Sequence, residues 1–251
     1  MRKLILVAMI GANVAQPAQA QGFGDFLRGI LGNPSKPASQ PESASKNGFS
    51  AISEAEARAG LKEALTIGTR EVARQLSMKD GYFGDDLIRI PLPGKLSDVQ
   101  KQLSRFGMAE PLDDLQLRMN RAAEDAAPLA ADMVIDAIQS LTINDAVNLL
   151  QGGDTAATDL LRLKTENQLV QLLRPKIETA LDDAGALRLA EDVTAKYDLS
   201  RFNIDPRKDL VDHAVEEALD GLFFYLAEQE QGIRNNPVER TTELLRKVFG
   251  G

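Results

Sequence analysis

The chain has 251 residues, of which 43% are hydrophobic and 26% charged, with one His, no Cys and no Trp. That balance excludes a wholly disordered or fibrous chain. The lack of Cys excludes disulfides, thiolate zinc sites, a cysteine nucleophile and a lipidated N-terminal cysteine. A net charge of −8 gives no electrostatic footprint for nucleic acid or an anionic lipid surface, so neither is expected as a partner.

Arg2 and Lys3 precede an apolar run from Leu4 to Ala15, which ends at Pro17 and the small-residue triplet Ala18-Gln19-Ala20. A positive start, a short apolar stretch and an A-x-A exit read as a secretory signal peptide over residues 1–20, cleaved after Ala20. The run falls short of the roughly 20 residues that a spanning helix needs. The expected location is therefore the bacterial periplasm, with secretion as the alternative, and no transmembrane segment is expected in the mature chain.

Phe23, Phe26, Leu27, Ile30 and Leu31 share one face of a short amphipathic helix within residues 21–31. Residues 32–49, rich in Ser, Pro, Ala, Gln and Lys, have nothing large to bury and read as a flexible linker. From residue 50 to 251 the punctuation is helical. Ser53 with Glu56, Ser97 with Gln100 and Thr142 with Asp145 have the spacing of capping boxes. Asp113 or Asp114 is expected to start one helix and Asp154 to cap another, with Pro128 and Pro175 kinking or restarting the helices that contain them. Gly185 should end a helix and Ala186 to Tyr197 should form the next. Asp205-Pro206 is an N-cap followed by Pro at the first helical position, and Asn236-Pro237 repeats that signal for a last helix.

Between these helices, Leu87-Ile88-Arg89-Ile90 runs into Pro91-Leu92-Pro93, where proline disfavours helix in the residue before it. A short strand or a pinned crossing is expected there. The expected fold is all-α: a single domain of about eight to ten short helices with one extended, Pro-pinned segment.

Nucleotide, nucleophile-elbow, zincin and calcium-loop motifs are absent from the sequence. Asp209, His213 and Glu217 stack along one helix face, but without a second His they read as a solvated acidic face, and no metal or cofactor is expected. Asn120, Arg121 and Glu124 interrupt a run of alanines that would let another helix approach closely, and a charge there would be costly unless paired. Arg234 and Arg240 flank the start of the last expected helix, whose free N–H groups favour negative charge. They could hold an anion or pair with the chain's own acids, such as Glu124, Glu228 or Glu230. Arg121, Glu124, Arg234 and Arg240 are expected to form one polar cluster.

Several blocks, in order, resemble the bacterial domain-of-unknown-function family 4197. They include Gly60–Leu65, Gly81-Tyr82-Phe83, Ile90–Pro93, Asn120–Glu124, Asp154–Thr158, Lys164-Thr165, Ala218–Phe223 and the run from Ile233 to Gly250. The pattern is departed from at Leu160-Leu161, where an aromatic is common, and at His213, where Tyr is expected. The resemblance implies an exported helical domain without an established activity. The polar members of the blocks are Asn120, Arg121, Glu124, Asp154, Thr158, Lys164, Thr165, Arg234, Asn236, Arg240 and Thr241. Such residues build either a buried, satisfied network or an anion pocket. The leading expectation is a non-enzymatic binding or interaction module with an unknown protein or small-molecule partner. The alternatives are a lipid or small apolar-ligand carrier and a carboxylate- or lysine-dependent enzyme.

Overall fold

The structure, a computed structural model, describes residues 53–202 and 205–235. The expected leader, 21–31 helix, 32–49 linker and last helix after Pro237 all fall outside the described residues. Seven α-helices and one 3-10 turn occur among the described residues, and no strand does. They are α1 (Glu54–Leu76), α2 (Gly94–Ser104), α3 (Glu110–Gln139), α4 (Ile143–Leu150), α5 (Ala156–Asp183), α6 (Ala186–Lys196), the 3-10 turn Leu199–Phe202, and α7 (Pro206–Asn235).

The all-α expectation holds, but the helices are fewer and longer than expected. α1, α3, α5 and α7 run 23, 30, 28 and 30 residues. Pro128 and Pro175 restart nothing: each lies inside a continuous helix. Both are exposed, so the missing donor and the ring fall on the solvent side. The packed faces run on past them, through Ala127 and Ala130 in α3 and through Leu173 and Ile177 in α5.

Local chemistry sets several helix starts. Ser53 and Glu56 form the full capping box of α1, and Thr142 and Asp145 that of α4. The Asp205 carboxylate accepts the Lys208 amide at 3.1 Å, one turn into α7. Other starts differ from the sequence reading. α2 begins at Gly94, with Ser97 inside it and no side-chain cap. α3 begins at Glu110, ahead of Asp113 and Asp114, because Pro111 occupies its first turn, where a missing N–H costs nothing. α5 begins after Thr155 rather than Asp154, and neither side chain caps it.

α3 is the central helix and packs against α1, α5, α6 and α7. Its inner face alternates large residues (Leu112, Leu115, Met119, Val134, Ile138) with the alanine run, so neighbouring backbones come close along its middle. From α5 the core takes Leu169, Leu173, Ile177 and Leu181, all fully or almost fully buried. Truncating one of these, such as Leu169→Ala, costs about 2–5 kcal/mol through lost transfer energy and the cavity left behind.

The stretch between α1 and α2 is a crossing made of turns and irregular backbone. Gly221 of α7 permits its close approach: a Cβ there would lie 2.7 Å from the Tyr82 ring. At the other end of the domain, Gly185 joins α5 to α6 with φ at +71°, a left-handed conformation that side-chain-bearing residues rarely adopt.

Candidate functional site

Two buried carboxylates organise the polar blocks, each serving a different part of the fold. The first is Glu124, at 3% exposure in the alanine-rich face of α3. One of its oxygens accepts the backbone N–H groups of Tyr82 and Phe83, both at 3.2 Å. The other accepts Arg121 at 2.6 Å, and Arg121 also reaches Asp80 at 2.6 Å. Burial and the Glu124 charge hold the Tyr82 phenol well above its ordinary pKa, so it stays protonated and donates to the Ala218 carbonyl at 2.7 Å.

Asn120, one turn before Glu124, extends the same anchor. Its carbonyl oxygen accepts the Ile90 N–H and its amide donates to the Ile90 carbonyl, both at 2.9 Å. A single side chain thus supplies the pairing that a neighbouring strand would otherwise give. Gln116 adds a third bond to Ile90, donating to its carbonyl at 3.2 Å. The crossing is thereby pinned at both ends by polar side chains of one helix. His213 completes it from α7, with Nε2 2.8 Å from the Pro91 carbonyl oxygen. Glu217 is 3.9 Å from His213 Nδ1, and the Asp209 carboxylate accepts the Asp205 amide, so this row of residues is engaged with the backbone and with one another.

The second carboxylate is Glu230 of α7, at 4% exposure. It accepts the Ala157 N–H at 2.9 Å, the Thr158 N–H at 2.8 Å and the Thr158 hydroxyl at 2.8 Å. These are the orphan donors of the first turn of α5, so α7 provides the cap that α5 lacks locally. Arg234, one turn on, donates to Glu230 at 2.7 Å and to the Leu149 carbonyl, in the last turn of α4, at 2.8 Å. An acid at a helix start and a guanidinium at a helix end both complement the backbone dipoles.

The expected single cluster is therefore divided. Arg121 serves Glu124 and Arg234 serves Glu230. Ala218, beside Tyr82, precedes Glu230 on α7 by twelve residues, or about 18 Å of helix rise. Of the remaining candidates, Thr165 bonds the Leu161 carbonyl at 2.7 Å, Lys164 pairs with Asp145 at 3.4 Å, and Asp154 is exposed. Asn236, Arg240 and Thr241 lie outside the described residues. No group of three or more acidic or His side chains suited to a metal occurs among the described residues.

Outside these anchors, the seam between α1 and α3 is open. One stretch of about 580 Å³ is lined by Arg58, Lys62, Thr66, Ile67 and Arg70 of α1, together with Gln139 of α3. A second, of about 280 Å³, shares Arg70 and continues past Pro128 to Asp132 and Asp136. The sequence reading missed this groove. Its one local signal was a set of cations at positions 58, 62 and 70, spaced to fall on one side of a helix.

Taken together, the described residues form an all-α domain built round one central helix, with its two buried carboxylates and Asn120 spent on tying a helix start and a crossing segment in place. Residues 51–250 match the family described as a protein of unknown function, DUF4197, and the chain belongs to that family. No curated protein and no solved structure matches it. Among the described residues, no single helix is long and apolar enough to cross a membrane.

Proposed function

We propose that the chain is an exported, non-enzymatic binding or interaction module whose working surface is the α1–α3 groove. One contrast carries this reading. Asn120, Glu124, Thr158, Glu230 and Arg234 are committed to backbone groups or to each other, whereas Arg58 and Arg70 line an open groove and enter no ion pair among the described residues. At about 580 Å³ the groove has the size of a small-molecule site, which is commonly about 300–1,000 Å³.

Export rests on the leader-like residues Arg2, Lys3, Leu4–Ala15 and Ala18-Gln19-Ala20. N-terminal sequencing of the protein from the periplasmic fraction should find Gln21 first. A full-length cytoplasmic protein would overturn the location. Native mass spectrometry of the same sample tests the binding role: a bound molecule should be present and should be lost from an Ala59→Trp variant that fills the groove. A molecule retained by that variant would place the working surface elsewhere.

A further inference from the structure

Building on the reading of the groove as the binding surface, we propose that its Arg58–Lys62 end is a site for a small anion carrying carboxylate or phosphate groups. Arg58 and Lys62 lie one helical turn apart on α1 and line the same hollow. Lys62 donates to the Gln139 carbonyl, the last residue of α3, at 2.5 Å. That bond fixes the ammonium at the groove wall and uses one of its three N–H donors, leaving two. Arg58 brings a planar fork of donors suited to two oxygens of one anion.

The charge balance of this end calls for a counter-ion. Arg74, Arg118, Arg162 and Arg174 each lie on a carboxylate of the protein. Arg58 and Arg70, like Arg105 and Arg188, do not among the described residues, but Arg58 and Arg70 share one hollow with Lys62. Like charges at this spacing on a helix repel, and burial together with Arg58 lowers the Lys62 pKa. A bound anion relieves that repulsion. Glu63 is the one carboxylate among the lining residues of this end, so Arg58, Lys62 and Arg70 outnumber it. Beyond Arg70 the lining turns acidic with Asp132 and Asp136, which confines the anion to the Arg58 end. Ala59 and Ile67 add apolar surface to the lining, against which a small organic body can rest.

The test is calorimetric titration of the full mature chain with inorganic phosphate and with citrate, at low and matched chloride. Binding of at least one anion is expected, weakened ten-fold or more by Arg58→Gln, which leaves the Lys62 bond to α3 intact. Lys62→Met should weaken it similarly, with circular dichroism confirming the fold. Arg188→Gln, on an exposed part of α6, should change nothing. Phosphate and citrate distinguish the two anion chemistries. No binding of either anion, or equal binding by Arg58→Gln, overturns the assignment. An uncharged molecule found in the groove by mass spectrometry would also overturn it while leaving the binding-module reading standing.

Discussion

The Glu230 carboxylate of α7 lies 2.8 Å from the Thr158 amide at the start of α5, 72 residues earlier in the chain. With Arg234 on its other side, it is a buried ion pair whose spare lone pairs are taken by backbone donors. Removing one partner of such a pair leaves an uncompensated charge. Glu230→Ala should therefore destabilise the domain by about 3–5 kcal/mol in urea unfolding. Arg234→Met in the same background should cost less than it does alone, since the two act as one unit. Additive losses would show that they do not.

Glu124 does for the crossing segment what Glu230 does for α5. Glu124→Ala would leave Arg121 with Asp80 as its one acid and the Tyr82 and Phe83 amides without their carboxylate acceptor. A loss of about 3–5 kcal/mol is expected, with faster proteolytic cleavage between residues 80 and 90. Unchanged cleavage would mean that Asn120 and His213 hold the crossing unaided.

At Gly221 an added methyl would meet the Tyr82 ring 2.7 Å away. Overpacking of this kind costs about 1–3 kcal/mol. Gly221→Ala should lose that much stability, and a smaller residue at position 82 should recover part of it. Full stability in Gly221→Ala would mean that the ring yields freely.

The Thr194 hydroxyl is buried in α6 without a hydrogen-bond partner among the described residues. Valine has the same branched shape without the unsatisfied group, so Thr194→Val should raise stability, by about 1 kcal/mol. Thermal unfolding will show the sign. A loss would reveal a partner for this hydroxyl in solution.

In the α4 cap, the Thr142 amide and hydroxyl, with Lys164 behind them, hold the Asp145 carboxyl below its ordinary value of 3.8. A depressed folded-state value means that this carboxylate contributes its stability above the unfolded pKa. The contribution is lost as pH falls through the lower, folded one. Urea midpoints measured from pH 5 to pH 2 should fall less steeply in Asp145→Asn than in the parent, and parallel curves would refute the linkage.

The helices that were legible in the sequence are those whose boundaries depend on near neighbours. Ser53 with Glu56, Thr142 with Asp145, and Asp205 with Pro206 signal through residues one to three positions apart. The start of α3 was legible in principle at Pro111, but Asp113 and Asp114 offered a competing signal. The start of α5 was not legible, because its cap comes from another helix. The Arg121–Glu124 pair could be read from its spacing, whereas its service to Tyr82 and Phe83 depends on a contact 41 and 42 residues away. The groove escaped notice for a related reason: it exists only where α1 lies beside α3, and neither helix alone describes it.

The borrowed cap of α5 also bears on the order in which the molecule is assembled. During synthesis the first turn of α5 emerges long before residue 230, with no acceptor of its own for the Ala157 and Thr158 amides. That turn gains its acceptor only when α7, which begins at Pro206, folds back over it. A fragment ending before Pro206 lacks both that acceptor and the α7 face on which α1, α3, α5 and α6 pack. Truncation before Pro206 is therefore expected to unfold the remaining helices rather than leave a stable N-terminal half.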